Sequence, residues 1–323
     1  MFKFAKLAAC SLIAASLTTS AVAQARYPSK PIRFVVGFAA GGASDVVART
    51  LSESMGNILG QPIIVDNKPG ADSLIATQFV AGAEPDGYTV MVGVSSHAIN
   101  ASLYTNSKVD PVKDFAPIGM IGDSPNLLVV HPSVQARTTE ELIELAKSKP
   151  TYLNYGSSAS ITMLATELFS DMAGIKMTRI PYKGSGQAVP AVMAGDVQVL
   201  LSSAITLLPH VQTGKVRPLA ITSARRSPLA PDVPTVTEKA LPGYVATTWY
   251  ALFAPAGTPT PVVTQLNAAL NTALANPATA QKLQAQGVDI TPSTPAELQN
   301  FVQKEVVKWA KVVKDTGTAN APK

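Results

Sequence analysis

Small hydroxylated or glycine-rich clusters recur along this chain, each just after an apolar run. Gly41-Gly42-Ala43-Ser44-Asp45 comes after Ile32–Val36, Ser95-Ser96-His97 after Tyr88–Val94, and Ser202-Ser203 after Val197–Leu201. Ser157, Ser158, Ser160 and Thr162 crowd one further loop, and Pro181-Tyr182-Lys183-Gly184 adds an aromatic ring and a cation. If the apolar runs are strands, these loops stand at the carboxyl ends of a sheet, where open α/β sheets take their ligands. Amides at the start of a helix favour an anion, and glycine lets a ligand approach the main chain. Together the clusters describe a cleft of hydroxyls and backbone amides suited to carboxylate oxygens. Singly, each also reads as a tight turn, a Ser or Asp helix cap, or a solvated lysine.

Other chemistries find little support. Gly41-Gly42 is followed by no Gly-Lys-Ser/Thr, and the chain has no Gly-x-Gly-x-x-Gly, so neither nucleotide loop is present. There is no Gly-x-Ser-x-Gly elbow and no His-Glu-x-x-His. The three histidines, His97, His131 and His210, are far apart in sequence. Neither a metal nor a cofactor is expected. The competing enzymatic reading is a serine hydrolase on an α/β scaffold with His97 as its base. It predicts ester turnover that disappears in His97→Ala.

The elements that would position these clusters follow from periodicity. Ile32–Val36 reads as a buried strand, Gly37 to Ser44 as a turn, and Asp45–Leu59 as a helix with Val47, Leu51, Met55 and Leu59 on one face. Gly60 ends that helix, and Pro62–Val65 is a second strand. Strand, glycine-rich turn, helix, strand is the unit of a parallel α/β sheet. The pattern repeats in strands at Tyr88–Val94, Asn126–Val130, Leu153–Tyr155, Val197–Leu201 and Pro218–Thr222. It repeats in helices at Glu140–Lys147, Met163–Ala173 and Ala188–Ala194, with Thr138 or Thr139 placed to cap the first. Pro228, Pro231, Pro234 and Pro242 mark a loop. Near the C-terminus, Leu298, Val302, Val306, Trp309 and Val313 keep a helical spacing that docks a terminal helix. Chain crossovers are placed near Asp123–Asn126 and Ala246–Leu252. They divide the chain into lobe 1 (residues 24–125 plus 247–323) and lobe 2 (residues 126–246).

Length and composition set outer bounds. The chain has 323 residues, 26 of them Lys or Arg and 21 Asp or Glu. Residues 1–23 carry Lys3 and Lys6, an apolar stretch from Leu7 to Leu17, and Ala21-Val22-Ala23, the pattern of an export signal cleaved after Ala23. Removing those two lysines leaves 24 basic against 21 acidic residues, a net +3 with no basic run, so nucleic acid is a poor partner. The single cysteine, Cys10, would leave with the signal. A mature chain without thiols suits an oxidising compartment, here the periplasm. No later apolar stretch approaches the ~20 residues of a membrane span.

The ordered motifs resemble one family. They are Phe34-Val35-Val36-Gly37-Phe38-Ala39-Ala40-Gly41-Gly42-Ala43-Ser44-Asp45, Val65-Asp66-Asn67-Lys68-Pro69-Gly70-Ala71, and Pro85-Asp86-Gly87-Tyr88-Thr89. Pro181-Tyr182-Lys183-Gly184, Ala194-Gly195-Asp196-Val197, Pro231-Asp232-Val233-Pro234-Thr235 and Ala254-Pro255-Ala256-Gly257-Thr258-Pro259 follow. The series resembles the substrate-binding proteins of tripartite tricarboxylate transporters, the Bug family, across nearly all of the mature chain. The resemblance implies a type II periplasmic binding protein with two α/β lobes, two crossovers and a small carboxylate in the cleft. It also implies delivery to large and small membrane subunits of a transporter; presentation of the ligand to a sensor is the alternative. The receptor is expected to be monomeric.

Carried over, the first lobe's grip falls on Phe38, Ala39, Gly41, Gly42, Ala43, Ser44 and Asp45, and on Ser95, Ser96 and His97. The second lobe's grip falls on Ser157, Ser158, Ala159, Ser160 and Thr162, on Tyr182 and Lys183, and on Ser202 and Ser203. Two departures stand out. The Ser-rich loop before Glu167-Leu168-Phe169 is about two residues shorter than the family pattern and carries Ile161 and Met163. This tilts the expectation toward an aromatic or apolar-bodied carboxylate. The family's Gly-Ala-Gly-Gly is replaced by Gly70-Ala71-Asp72-Ser73.

Overall fold

The computed structural model describes residues 27–157, 159–182 and 185–319. The expected signal segment, with Cys10, lies outside them, as do Ser158 and Lys183. The chain begins with β1 (Ile32–Val36), α1 (Ala43–Leu59), β2 (Ile63–Asn67), α2 (Leu74–Ala81), β3 (Thr89–Val94), α3 (Ser96–Leu103) and β4 (Phe115–Ser124). Next come β5 (Asn126–Val130), α4 (Thr139–Ser148), β6 (Asn154–Ser157), α5 (Ser160–Ala173), β7 (Thr178–Pro181), α6 (Ser185–Ala194), β8 (Val199–Ser203), α7 (Ala204–Gln212), β9 (Arg217–Ile221) and α8 (Val236–Lys239). It closes with β10 (Thr248–Pro255), α9 (Thr260–Ala275), α10 (Pro277–Ala285), β11 (Asp289–Ile290) and α11 (Pro295–Thr316).

These strands form two sheets. One has the order β11-β4-β10-β3-β1-β2 and the other β7-β6-β8-β5-β9. Both are mixed, where strand–helix–strand repeats alone suggest parallel sheets. β1 runs parallel to β2 and β3, whereas β10 is antiparallel to β3 and β4. In the second sheet β6 is parallel to β7 and β8, whereas β5 is antiparallel to β8 and β9. Two of the reversed strands follow a passage between sheets: β5 comes after Pro125 and β10 after the long segment beyond β9; the short β11, antiparallel to β4 at the sheet edge, is the third. A strand arriving from the other sheet enters its new sheet from the cleft side, so it runs against its neighbours.

Asn126 stitches the two passages together. Its backbone N–H donates to Thr222 Oγ1 and its Nδ2 to Ala246 O, each at 3.0 Å. Local signals hold where they are local. Thr138 Oγ1 accepts the Glu141 N–H at 3.2 Å and caps α4, and Gly60 ends α1 in the left-handed region at φ 71°. α11 buries Leu298, Val302, Trp309 and Val313, as its spacing requires. It packs on α3 from one side of the chain and on α5 from the other. Glu305 is buried on the same stripe, and its Oε2 accepts both indole N–H groups, Trp249 Nε1 at 3.1 Å and Trp309 Nε1 at 2.9 Å. Among the described residues no helix is long and apolar enough to cross a membrane.

Candidate functional site

A cleft of about 680 Å³ opens between the two sheets. The loop from β1 to α1 forms part of its wall. Asp45 does not face the cleft but braces this loop from behind. Its Oδ2 accepts the Gly41 N–H and the Arg49 Nε–H, both at 2.9 Å, and its Oδ1 accepts Asn67 Nδ2 at 3.0 Å. Those bonds, with Arg49 foremost, hold its carboxyl at about 2 despite burial. Asn67 Nδ2 also donates to Phe38 O at 3.0 Å, so one side chain ties β2 to the loop. The helix N-cap is Gly42, which offers no side-chain acceptor, and Phe38, Gly42, Ala43 and Ser44 line the cleft. The positive end of α1 is thereby presented to it.

At the end of β3, Ser95 and Ser96 do different work. Ser95 Oγ donates to Thr247 O at 3.1 Å and accepts the Trp249 N–H at 2.9 Å, joining β3 to the start of β10. Ser96 Oγ is buried, lines the cleft, and has no hydrogen-bond partner among the described residues. A buried hydroxyl left so is costly unless something in the cleft satisfies it.

The facing wall comes from the second sheet. α5 begins at Ser160 with Ala159 as an N-cap that has no acceptor, while Thr162 Oγ1 accepts the Ala159 N–H at 3.2 Å. Ser157, Ala159, Ser160, Thr162, Tyr182, Ser202 and Ser203 all line the cleft, with Ile161 and Met163 as apolar wall. Two helix starts without side-chain caps, α1 and α5, therefore border the same cavity. The described residues contain no cluster of His, Cys, Asp and Glu that could hold a metal ion.

Four expected site residues lie elsewhere. Ala39, Gly41 and Asp45 are not among the lining residues, and Asp45 orders the turn instead. His97 points into the core. Its Nε2 meets Pro111 O at 2.9 Å, and the ring sits 4.6 Å from Phe115 and 4.5 Å from Phe253 between centroids. Ser-His catalysis needs the ring beside an accessible hydroxyl, and here the ring is enclosed by two phenylalanines and does not line the cleft. The reason is helical: His97 is the second residue of α3, on the face turned away from Ser96.

Burial pushes the His97 imidazole down to about 4. An unfolded histidine takes up its proton near 6.5, so between pH ~6.5 and ~4 the unfolded chain binds more protons. That contribution is complete above ~6.5 and falls by roughly 3 kcal/mol on acidification to ~4. Asp123 works in the opposite sense: burial, then the nearby Asp289, raises it to about 6, so its protonation favours the fold below that pH. Urea midpoints of wild type and His97→Phe at pH 7.5 and 4.5 isolate the histidine. The wild type should lose more stability than the variant; equal losses would mean that His97 titrates normally.

Several lining residues carried no sequence signal. Val94, Leu103, Asn126, Ser185 and Thr248 complete the wall, and Asp72 and Arg179 are the two charged side chains among the described lining residues. Arg179 lies on β7 opposite Tyr155 of β6, and its Nε donates to Ser157 Oγ at 2.9 Å. Asp72 sits on a turn, Ala71–Ser73, whose three residues have φ of 46°, 52° and 73°. Left-handed backbone is disfavoured for residues with a Cβ, which explains glycines in the related pattern at this point. Asn100 Nδ2 holds the turn through Asp72 O at 2.8 Å. Gly37 matters here because a Cβ on it would stand 1.9 Å from Ser73 Oγ. The Asp72 carboxylate accepts a hydrogen bond from Ser160 Oγ across the cleft. One signal was visible in the sequence, namely the Asp72-Ser73 departure itself.

Two α/β lobes around a cleft bordered by helix N-termini define a type II periplasmic binding protein. A model described as "Tripartite tricarboxylate transporter family receptor" (TctC) matches residues 47–318, and the chain belongs to that family. It is 37% identical over 295 residues to Protein BugT of Bordetella pertussis, covering 90% of each chain. Its fold is similar to that of an R. palustris protein solved with adipate, at 35% identity and a TM-score of 0.78, covering 90% of this chain and 98% of that one. It is also similar to MatC of Rhodopseudomonas palustris with bound malate, at 33% identity and a TM-score of 0.75, covering 89% and 100%. The family consists of periplasmic solute receptors.

Proposed function

We propose that this chain captures a small carboxylate between its lobes in the periplasm and delivers it to a tripartite tricarboxylate-type membrane transporter. The observation that carries this reading is the meeting of the uncapped starts of α1 and α5 with the unpartnered Ser96 hydroxyl in one cleft. Amide donors and a buried hydroxyl with no acceptor suit an anion that brings its own oxygens. Binding of adipate and malate by proteins of the same family and fold supports carboxylate as the ligand class. Lobe boundaries at 125/126 and 246/247, and signal cleavage after Ala23, belong to the same proposal.

Each charge-assisted hydrogen bond contributes about 1.5–3 kcal/mol. Four or five, less desolvation and lost freedom, leave the ~8 kcal/mol of a micromolar Kd. A thermal-shift screen of the exported form tests the reading against aliphatic and aromatic carboxylates, with phosphate and uncharged analogues as controls. At a hundred times Kd a ligand adds about 2.7 kcal/mol, a shift of a few degrees. A shift confined to carboxylates supports the proposal. A flat response to every carboxylate, in protein shown by mass spectrometry to carry no bound small molecule, rejects it.

A further inference from the structure

We infer that the cleft is built for a carboxylate with a bulky apolar body, a ring or a long branched chain, and that Leu103 and Met163 set this preference. This rests on the carboxylate reading above and deepens it by naming the body of the ligand. Sequence marks only Ile161 and Met163 for this role, both on lobe 2. The structure sets Phe38, Val94 and Leu103 of lobe 1 into the same cleft wall. Val94, Leu103, Ile161 and Met163 are buried, none more than 9% exposed, so neighbouring side chains hold the wall in place. The cleft keeps its volume of about 680 Å³ although the lobes already meet across it, where Ser160 Oγ donates to Asp72. Cavities of about 300–1,000 Å³ with apolar walls and a few placed polar groups take drug-sized ligands, well above a short diacid.

α3 gives the ligand its length. Ser96 opens this helix and Leu103 closes it; they share one helix face, and both line the cleft. At about 1.5 Å of rise per residue, the buried hydroxyl and the leucine stand roughly 10 Å apart along the axis. On lobe 2, α5 repeats the pairing within its first turn: amides without a side-chain cap at its start, then Ile161 and Met163. A ligand whose carboxylate meets the amides and the Ser96 hydroxyl therefore extends its body along apolar side chains of both lobes. Burying that body frees water from ligand and wall together, worth about fourfold in affinity per methylene. A short diacid has few methylenes to bury and gains little from such a wall. Methionine, unbranched and polarisable, is suited to the edge of a ring.

Isothermal titration calorimetry tests this with pairs matched in charge and unlike in body: butanoate beside 4-methylbenzoate, and succinate beside terephthalate. In the tighter-binding pair, the wild type should bind the aromatic member at least ~10-fold more tightly. Met163→Gln keeps an unbranched stem and Leu103→Asn keeps the approximate shape, each with an amide in place of the apolar end. Each should bring the ratio within ~3-fold, mainly by a loss on the aromatic side, in protein whose melting curve shows it folded. Where one variant fails to fold, the other and the wild-type ratio decide. A wild-type ratio below ~10-fold, or a ratio unmoved in the folded variants, overturns the inference and leaves the carboxylate reading intact. So does binding of a short polar carboxylate from the wider screen when none of the four compounds binds. If these four and the whole carboxylate screen are flat, the receptor reading fails, and this inference with it.

Discussion

Replacing Arg179 by methionine should weaken carboxylate binding by at least ~30-fold, about 2 kcal/mol, with little change in melting temperature. Methionine keeps the length of the stem and removes the planar donor fork. Arg179 is the cation among the described cleft residues, and its Nε–H already anchors to Ser157 Oγ at the mouth of the α5 loop. Truncating a cation that meets a ligand carboxylate in a cleft costs about 2–5 kcal/mol. The fold should tolerate the change: β7 is the outermost strand of its sheet, and the Arg179 side chain leaves the main-chain ladder untouched. Arg179→Lys restores the charge without the fork and should recover only part of the affinity. Titration calorimetry with the tightest ligand from the screen reads the effect. Unchanged affinity in Arg179→Met would mean that the guanidinium does not face the ligand, and would assign recognition to the helix amides and hydroxyls alone.

Trp309→Ala should destabilise the fold by about 3–5 kcal/mol, the usual range for deleting a buried aromatic. The side chain is fully buried, on the stripe by which α11 docks. Two costs combine. A large cavity opens where α11 meets α3 and α5, and Glu305 loses one of its two indole donors, keeping Trp249 and its ion pair with Lys308. Trp309→Phe separates them, since it retains most of the buried ring and removes only the N–H. Urea midpoints should fall in the order wild type, Phe, Ala, with the Phe variant losing about 1 kcal/mol. A Phe variant as damaged as Ala would shift the weight from packing to the Glu305 network. Because α11 packs on elements preceding and within the second sheet, its loss should also loosen the relation between the lobes that the cleft depends on.

Much of the local structure was legible because its causes are local. Val47, Leu51 and Met55 recur at helical spacing and are buried on one face of α1. Thr138 stands three residues before a backbone amide that only a cap can satisfy, and it caps α4. The hydroxyl-rich clusters were legible as loop ends, and thirteen of the nineteen expected site residues do line the cleft. His97 misled for an instructive reason. It adjoins two serines in sequence, yet consecutive residues on a helix diverge by ~100°, so Ser96 lines the cleft while His97 enters the core between Phe115 and Phe253.

The sequence alone determined that apolar runs would end in small polar loops at one edge of a sheet, and its ordered motifs carried the family. Tertiary structure decided what no spacing encodes. β10 is inserted between β3 and β4, and β5 between β8 and β9, by pairings of strands far apart in sequence. Asp72 and Ser160 are 88 residues apart and meet only because the two lobes face each other. Arg179 joins the cleft because β7 pairs with β6, and Glu305 is buried because two tryptophans, one from β10 and one from α11 itself, converge on it. Periodicity along a chain reports which face of an element is apolar. Which charge stands opposite which is set by the packing of elements distant in sequence.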